Sequence, residues 1–126
     1  TEAAFGSGIV CAGGADPFSP RALRASAGAL LRLPLVETGS PGDAVAACRG
    51  LGLRLVGGSP RARTGYRDAD LGGAIALFVG SEGPGLGPDL SRSLDLEVSI
   101  PMRAGAESLN VATAAAVILF EAATRR

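Results

Sequence analysis

Short apolar runs rich in β-branched residues or leucine alternate along the chain with stretches of helical period. This rhythm predicts an α/β fold, a mostly parallel sheet with helices on both faces. Strands are expected over Gly8 to Cys11, Leu33 to Val36, Leu53 to Val56, Ala74 to Val79 and Leu96 to Ile100. The fourth is apolar throughout and is expected to be a central strand buried on both faces. A first helix is signposted by Ser19 as cap and Pro20 in the first turn, and its pattern runs to about Leu31. Its period places Leu23, Ala27, Leu30 and Leu31 on one face and Arg21, Arg24, Gly28 and Arg32 on the other. A second helix repeats the grammar with Ser40, Pro41 and Asp43 and runs to about Arg49. Residues Gly57 to Asp70 read as a polar loop carrying Arg61, Arg63 and Arg67.

The last predicted helix, roughly Ser108 to Thr124, is apolar nearly all the way round, so it is expected to be enclosed rather than laid on a surface. Either a second copy of the chain or a chain that wraps the helix would enclose it. The run Val111 to Phe120 is about half the length that a membrane span requires, so no membrane partner is expected.

Composition then removes several chemistries. The chain has 126 residues, no histidine, and 12 basic against 12 acidic residues. Length and apolar content support one domain over residues 1–126 with a real core. Without imidazole, Ser-His-Asp, Cys-His and His-metal chemistries are excluded, and no metal is expected. Cys11 and Cys48 have no Cys-x-x-Cys spacing and read as small apolar residues of a reducing, cytoplasmic compartment. A balanced charge gives no global attraction to nucleic acid, so such a partner must be met by a local patch. All the basic residues are arginine, as a GC-rich coding genome produces, although arginine also makes bidentate phosphate contacts that lysine cannot.

Two stretches carry candidate chemistry. Gly80-Ser81-Glu82-Gly83-Pro84-Gly85-Leu86-Gly87 follows a strand, and glycines this dense let backbone amides approach a ligand. A Walker loop fails here for want of the Lys-Ser/Thr pair. The glycines at 83, 85 and 87 also depart from the Gly-x-Gly-x-x-Gly of dinucleotide sites. A Rossmann-type methyltransferase loop is disfavoured because only about forty residues follow Gly87, too few for the further βα units. In the second stretch, Ile100 to Asn110, Ser108 is a candidate helix cap. Asn110 is an amide in the first turn of an apolar helix and needs a polar partner.

These stretches, Ala-Leu-Phe-Val-Gly-Ser-Glu-Gly-Pro-Gly-Leu and Ile-Pro-Met-Arg-Ala-Gly-Ala-Glu-Ser-Leu-Asn-Val-Ala-Thr-Ala-Ala-Ala, resemble in spacing and order the second and third motifs of the SpoU/TrmH branch of the SPOUT RNA methyltransferases. The stretch Asp16 to Ala29 is similar to the ribosomal-RNA-modifying members, so the resemblance covers nearly the whole chain.

The resemblance implies a C-terminal deep trefoil knot, a homodimer formed through the C-terminal helix, and methyl transfer from S-adenosylmethionine to a ribose 2′-hydroxyl of rRNA or tRNA. By motif match, Gly58, Gly80, Gly85, Ile100, Met102 and Leu109 would line the cofactor pocket, and Glu82, Ser108 and Asn110 match polar active-site positions. Arg21, Arg24, Arg32 and Arg103 are the candidate RNA contacts, with Arg61, Arg63 and Arg67 in reserve.

The family's first motif, Asn-x-Gly-x-x-x-Arg, is followed by a stretch like Thr1-Glu2-Ala3-Ala4-Phe5-Gly6. Its arginine would precede Thr1, and an upstream segment is expected. The alternative reading is a cofactor-binding but catalytically weak RNA-binding or dimerisation domain.

Overall fold

The computed structural model describes residues 1–125 other than Glu82 and Glu107. In chain order the elements are β1 (Ile9–Ala12), α1 (Pro20–Ala25), β2 (Leu35–Thr38), α2 (Pro41–Gly50), β3 (Arg54–Gly58), β4 (Thr64–Gly65), β5 (Ile75–Val79), α3 (Pro88–Ser93), β6 (Leu96–Ser99) and α4 (Val111–Thr124). All strand pairing is parallel, in two sheets, β1-β2 and β4-β6-β3-β5. The α/β class expected from the apolar rhythm is therefore observed. Among the described residues no helix is long and apolar enough to cross a membrane.

The central strand is β3 rather than the all-apolar β5, which lies at one edge of the four-stranded sheet. Nor is β5 buried on both faces: Ile75 to Phe78 are half-buried and Val79 is 41% exposed, because an edge strand lacks a neighbour on one side and a continuous apolar run reports neither burial nor the number of hydrogen-bonded neighbours. The buried centre of β3 is Leu55 and Val56, both without solvent exposure, with Gly57 behind them. A side chain at Gly57 would lie 2.6 Å from Leu94 Cδ1 and 2.8 Å from Leu86 Cδ1, whereas one at Gly58 would lie 3.3 Å from Ile118 Cδ1. Successive strand residues point to opposite faces. Hence α4 covers one face of β3, and the α3 region covers the other. Val56, Ala69, Leu71, Val98 and Ile118 form the buried cluster between sheet and helices.

Helix α1 ends earlier than its apolar period suggests. Ser19 Oγ caps it as expected, accepting from Ala22 N at 3.2 Å. Ser26 then turns its hydroxyl back to Leu23 O, and Ala27 and Gly28 adopt left-handed φ values of 48° and 81°. A separate 3₁₀ turn, Ala29–Leu31, follows. This break takes Arg32 off the expected helical stripe and leaves Leu31 77% exposed. Helix α2 keeps the expected bounds, with Ser40 Oγ accepting from Asp43 N. The stretch expected to be loop contains the short strand β4, and α3 was not anticipated.

Helix α4 is enclosed on one side only within this chain. Ile118 is buried at 1% exposure, whereas Ala112, Ala116 and Phe120, spaced four apart, face solvent. All-round apolarity therefore did not mean all-round burial by the chain itself. Its C-terminal end is tied down by Arg125, which donates to Ala69 O at 2.9 Å, to Arg67 O, and to Glu121.

Asp95 joins three elements. Its carboxylate accepts from Leu55 N at 2.8 Å and from Arg49 Nη2 at 2.9 Å, and its own amide donates to Leu55 O. The Leu55 amide, then the Arg49 guanidinium, hold the Asp95 carboxyl below its ordinary value. A depressed carboxyl stabilises the fold above the unfolded range, about pH 4, and that contribution fades as pH falls through the lowered value. Asp95→Asn should therefore lower the melting temperature at neutral pH and weaken its fall on acidification from pH 5 to pH 3, measured by thermal denaturation. An unchanged acid limb would show that Asp95 contributes no pH-dependent stability.

Candidate functional site

Three adjacent parallel strands, β6, β3 and β5, end at the same edge, and the loops leaving them enclose a cleft of about 440 Å³. Clefts outside the carboxyl ends of parallel strands are the usual ligand sites of α/β sheets, because the loops there are free to vary while the strands fix their roots. From β3 come Gly58, Ser59 and Pro60. Val79 through Ser81, with Gly83 and Gly85, follow from β5. From β6 come Val98, Ile100 and Met102, and the start of α4 closes the cleft with Ser108, Leu109, Asn110, Val111, Ala114 and Ile118.

The loop from β5 folds back on itself. Gly85 N donates to Ser81 O at 3.1 Å, and Ser81 and Gly85 form an antiparallel bridge. This return places the Gly85 carbonyl against Gly80: a Cβ there would lie 2.0 Å from Gly85 C and O and 2.5 Å from Leu86 N. Backbone cannot yield as a flexible side chain can, so the closed loop requires glycine at 80.

Among the described residues the lining contains no charged side chain. Its walls are aliphatic, and its polar groups are backbone amides and carbonyls together with Ser59, Ser81, Ser108 and Asn110. Such a surface suits a flat, largely apolar ring system whose edge is met by main-chain hydrogen bonds.

Gly58, Gly80, Gly85, Ile100, Met102, Leu109, Ser108 and Asn110, which span positions 58 to 110 in sequence, are thus brought together. Glu82 lies outside the described residues. Sequence reasoning passed over Ser59, Pro60 and the α4 stripe Val111, Ala114 and Ile118. The i, i+3, i+7 spacing of that stripe was the available signal.

The helix cap is Asn110, not Ser108. Helix α4 begins at Val111, and Asn110 Oδ1 accepts from Ala112 N at 2.9 Å and from Thr113 N at 3.3 Å. The polar partner that an amide at the head of an apolar helix needs is thus the helix's own orphan donors.

Of the candidate RNA contacts, Arg32 is engaged elsewhere. Its Nε and Nη2 each meet a Glu2 carboxylate oxygen at 2.7 Å, and this pairing lowers the Glu2 pKa. Arg21 and Arg24 are exposed on α1, and Arg103 is exposed one residue beyond Met102. The two thiols stay outside the cleft. Cys48 is buried and Cys11 half-buried, and burial raises both pKa values, which keeps them protonated.

Similar chains share this fold. The SpoU rRNA Methylase family model matches residues 1–120, and the chain belongs to that family. A 23S rRNA (uridine(2479)-2′-O)-methyltransferase of Streptomyces viridochromogenes is 39% identical over 94% of this chain and 44% of its own length. The crystal structure of the SpoU methyltransferase AviRb from the same organism, in complex with AdoMet, superposes with a TM-score of 0.85 at 38% identity, covering 97% of this chain and 48% of AviRb. An RNA 2′-O ribose methyltransferase structure gives a TM-score of 0.89 at 33% identity over 98% of this chain and 48% of that one. The chain spans less than half the length of these relatives.

Removing the Asn110 cap should destabilise the fold by about 1 kcal/mol, the usual loss for an N-cap replaced by alanine. Denaturant titration of Asn110→Ala and Asn110→Asp tests this, with the aspartate variant, which retains a capping oxygen, staying near wild type. Equal stability of all three proteins would remove the cap from the account.

Proposed function

We propose that the chain is the cofactor-binding catalytic domain of a methyltransferase acting on a ribose 2′-hydroxyl of structured RNA, rRNA rather than tRNA, with S-adenosylmethionine as methyl donor. The observation that carries this reading is the cleft itself: three loops from the ends of β3, β5 and β6, closed by the head of α4, presenting main-chain polar groups between aliphatic walls. AviRb, whose structure superposes over 97% of this chain, holds AdoMet.

The residues present fit that cofactor. Gly80 and Gly85 keep the β5 loop tight enough to expose backbone rather than side chain, and Gly58 leaves room beside Ile118 and Val79. Together with Ile100, Met102 and Leu109 they would hold the adenosine part, the aliphatic groups against the ring and the main chain at its edge. When bound, the cofactor would supply an electrophilic methyl group on a positively charged sulfur.

The chain's own task is to orient a poor nucleophile. Ser108, exposed at the cleft mouth, is placed to hydrogen-bond the reacting hydroxyl, and Asn110 both caps α4 and faces the same cleft. Glu82 is proposed by motif to fix the pocket. The family's first-motif arginine has no counterpart by motif within residues 1–126.

Residues 1–126 are further proposed to be one SPOUT domain with a C-terminal trefoil knot. The likeness of the chain to SpoU methyltransferase structures over 97–98% of its length supports the single domain. The exposed stripe Ala112, Ala116 and Phe120 supports a homodimer through α4.

Calorimetry with S-adenosylmethionine, followed by transfer of labelled methyl to unmodified 23S rRNA and tRNA transcripts, tests the reading. Uptake of the cofactor by folded protein and 2′-O-methyl nucleosides in digested rRNA are expected. No uptake would overturn it, and uptake without transfer would favour the binding-only alternative.

Gly80→Ala should weaken cofactor affinity by about tenfold or more, equivalent to about 1.4 kcal/mol, through the forced shift of the Gly85 backbone. Asn110→Asp should keep stability and near-normal cofactor affinity, while transition-state stabilisation falls by about 2 to 4 kcal/mol, the usual loss when an orienting donor is removed. Normal turnover in that variant would limit Asn110 to capping.

A further inference from the structure

Ion pairs among the described residues engage Arg32, Arg49, Arg54, Arg92 and Arg125. Arg67 donates to Tyr66 OH, with its guanidinium carbon 5.4 Å from the ring centre. Arg61 and Arg63 are exposed and have no acidic partner among the described residues.

Their placement distinguishes them from the exposed arginines of α1. They follow Ser59 and Pro60, which line the cleft, on the loop that joins β3 to β4. That loop is held at both ends. Ser59 N donates to Val98 O at 2.9 Å, and Thr64 pairs with Val98 in the parallel ladder to β6. Between these points Ala62 N donates to Ser59 O at 3.2 Å, and Arg61 N donates to Ser59 Oγ at 3.3 Å. The result is a tight turn with Pro60 and Arg61 at its centre, an arrangement proline favours at the first central position.

Two permanent positive charges two residues apart repel each other, and a chain with zero net charge has carboxylates enough to neutralise them. Instead a braced turn carries Arg61 at its centre, with Arg63 just beyond it, directly after the cleft-lining Ser59 and Pro60.

Given the proposed action on RNA, we infer that Arg61 and Arg63 form a phosphate clamp, taking phosphodiester oxygens of the strand on either side of the nucleotide that enters the cleft. Guanidinium groups suit this task because they are always charged and meet phosphate oxygens bidentately. A braced turn also loses little conformational freedom on binding. The clamp is a different surface from α1, on which the candidate Arg21 and Arg24 lie.

The test uses the full chain, with S-adenosylmethionine and unmodified transcribed 23S rRNA as probes. It compares wild type, Arg61→Ala/Arg63→Ala, Arg61→Lys/Arg63→Lys, and Arg92→Ala as a control already paired with Asp89 on α3. Cofactor affinity and melting temperature should be unchanged throughout. In the double alanine variant RNA affinity should fall about tenfold or more at moderate salt. The slope of log affinity against log salt should flatten by about 1.4, two single-strand phosphates at about 0.7 each. The double lysine variant should keep most of that slope, and Arg92→Ala all of it.

An unchanged RNA affinity and slope in the double alanine variant, with wild-type RNA binding intact, would overturn the clamp alone. Wild-type protein that takes up the cofactor but binds neither this rRNA nor tRNA transcripts would overturn the RNA reading and the clamp with it.

Discussion

The two glycines that end β3 set the dimensions of everything around them. Because neighbouring strand residues face opposite ways, Gly57 removes bulk from one face of the sheet and Gly58 from the other. Leu86 and Leu94 occupy the first space, and Ile118 of α4 reaches the second. Larger side chains here would push apart the two layers that sandwich the central strand. They would also enlarge the distance across which the β5 loop and the head of α4 meet. Close packing at this strand end thus converts a sheet edge into a cleft, and Val98 and Ile118 serve both the buried cluster and the cleft wall.

A second constraint acts through backbone hydrogen bonds. The Leu55 amide and carbonyl both pair with Asp95, so the start of β3 is held to the residue that leads into β6. Arg49 links that carboxylate to the end of α2, and Arg125 links the end of α4 to the carbonyls of Arg67 and Ala69. These contacts hold the roots of the loops, while the cleft itself is lined by small and aliphatic residues. A site of this kind works by shape and main-chain polarity.

Belonging to the SpoU rRNA methylase family accounts for that economy. In the proposed methyl transfer, a donor whose reactive carbon is already electrophilic would ask the protein for orientation, and orientation is what tightly turned loops on a parallel sheet provide.

Much of this was legible in the chain. The alternation of apolar runs and helical periods gave β1, β2, β3, β5 and β6 and helices α1, α2 and α4 in order, though not β4 or α3; the two Ser-Pro signals marked the starts of α1 and α2, and the glycine density after β5 marked the loop that lines the cleft. Local chemistry governs these features, so local sequence suffices to read them. What only the tertiary structure decided was who neighbours whom. An apolar run cannot state how many strands flank it, so β5 took an edge and β3 the centre. Helical periodicity did not anticipate the left-handed turn at Ala27 and Gly28 that moved Arg32 to Glu2. The choice of Asn110 over Ser108 as cap depended on where the chain arriving from β6 could begin its helix. Each of these outcomes depends on contacts between residues distant in sequence, whose energies no short window contains.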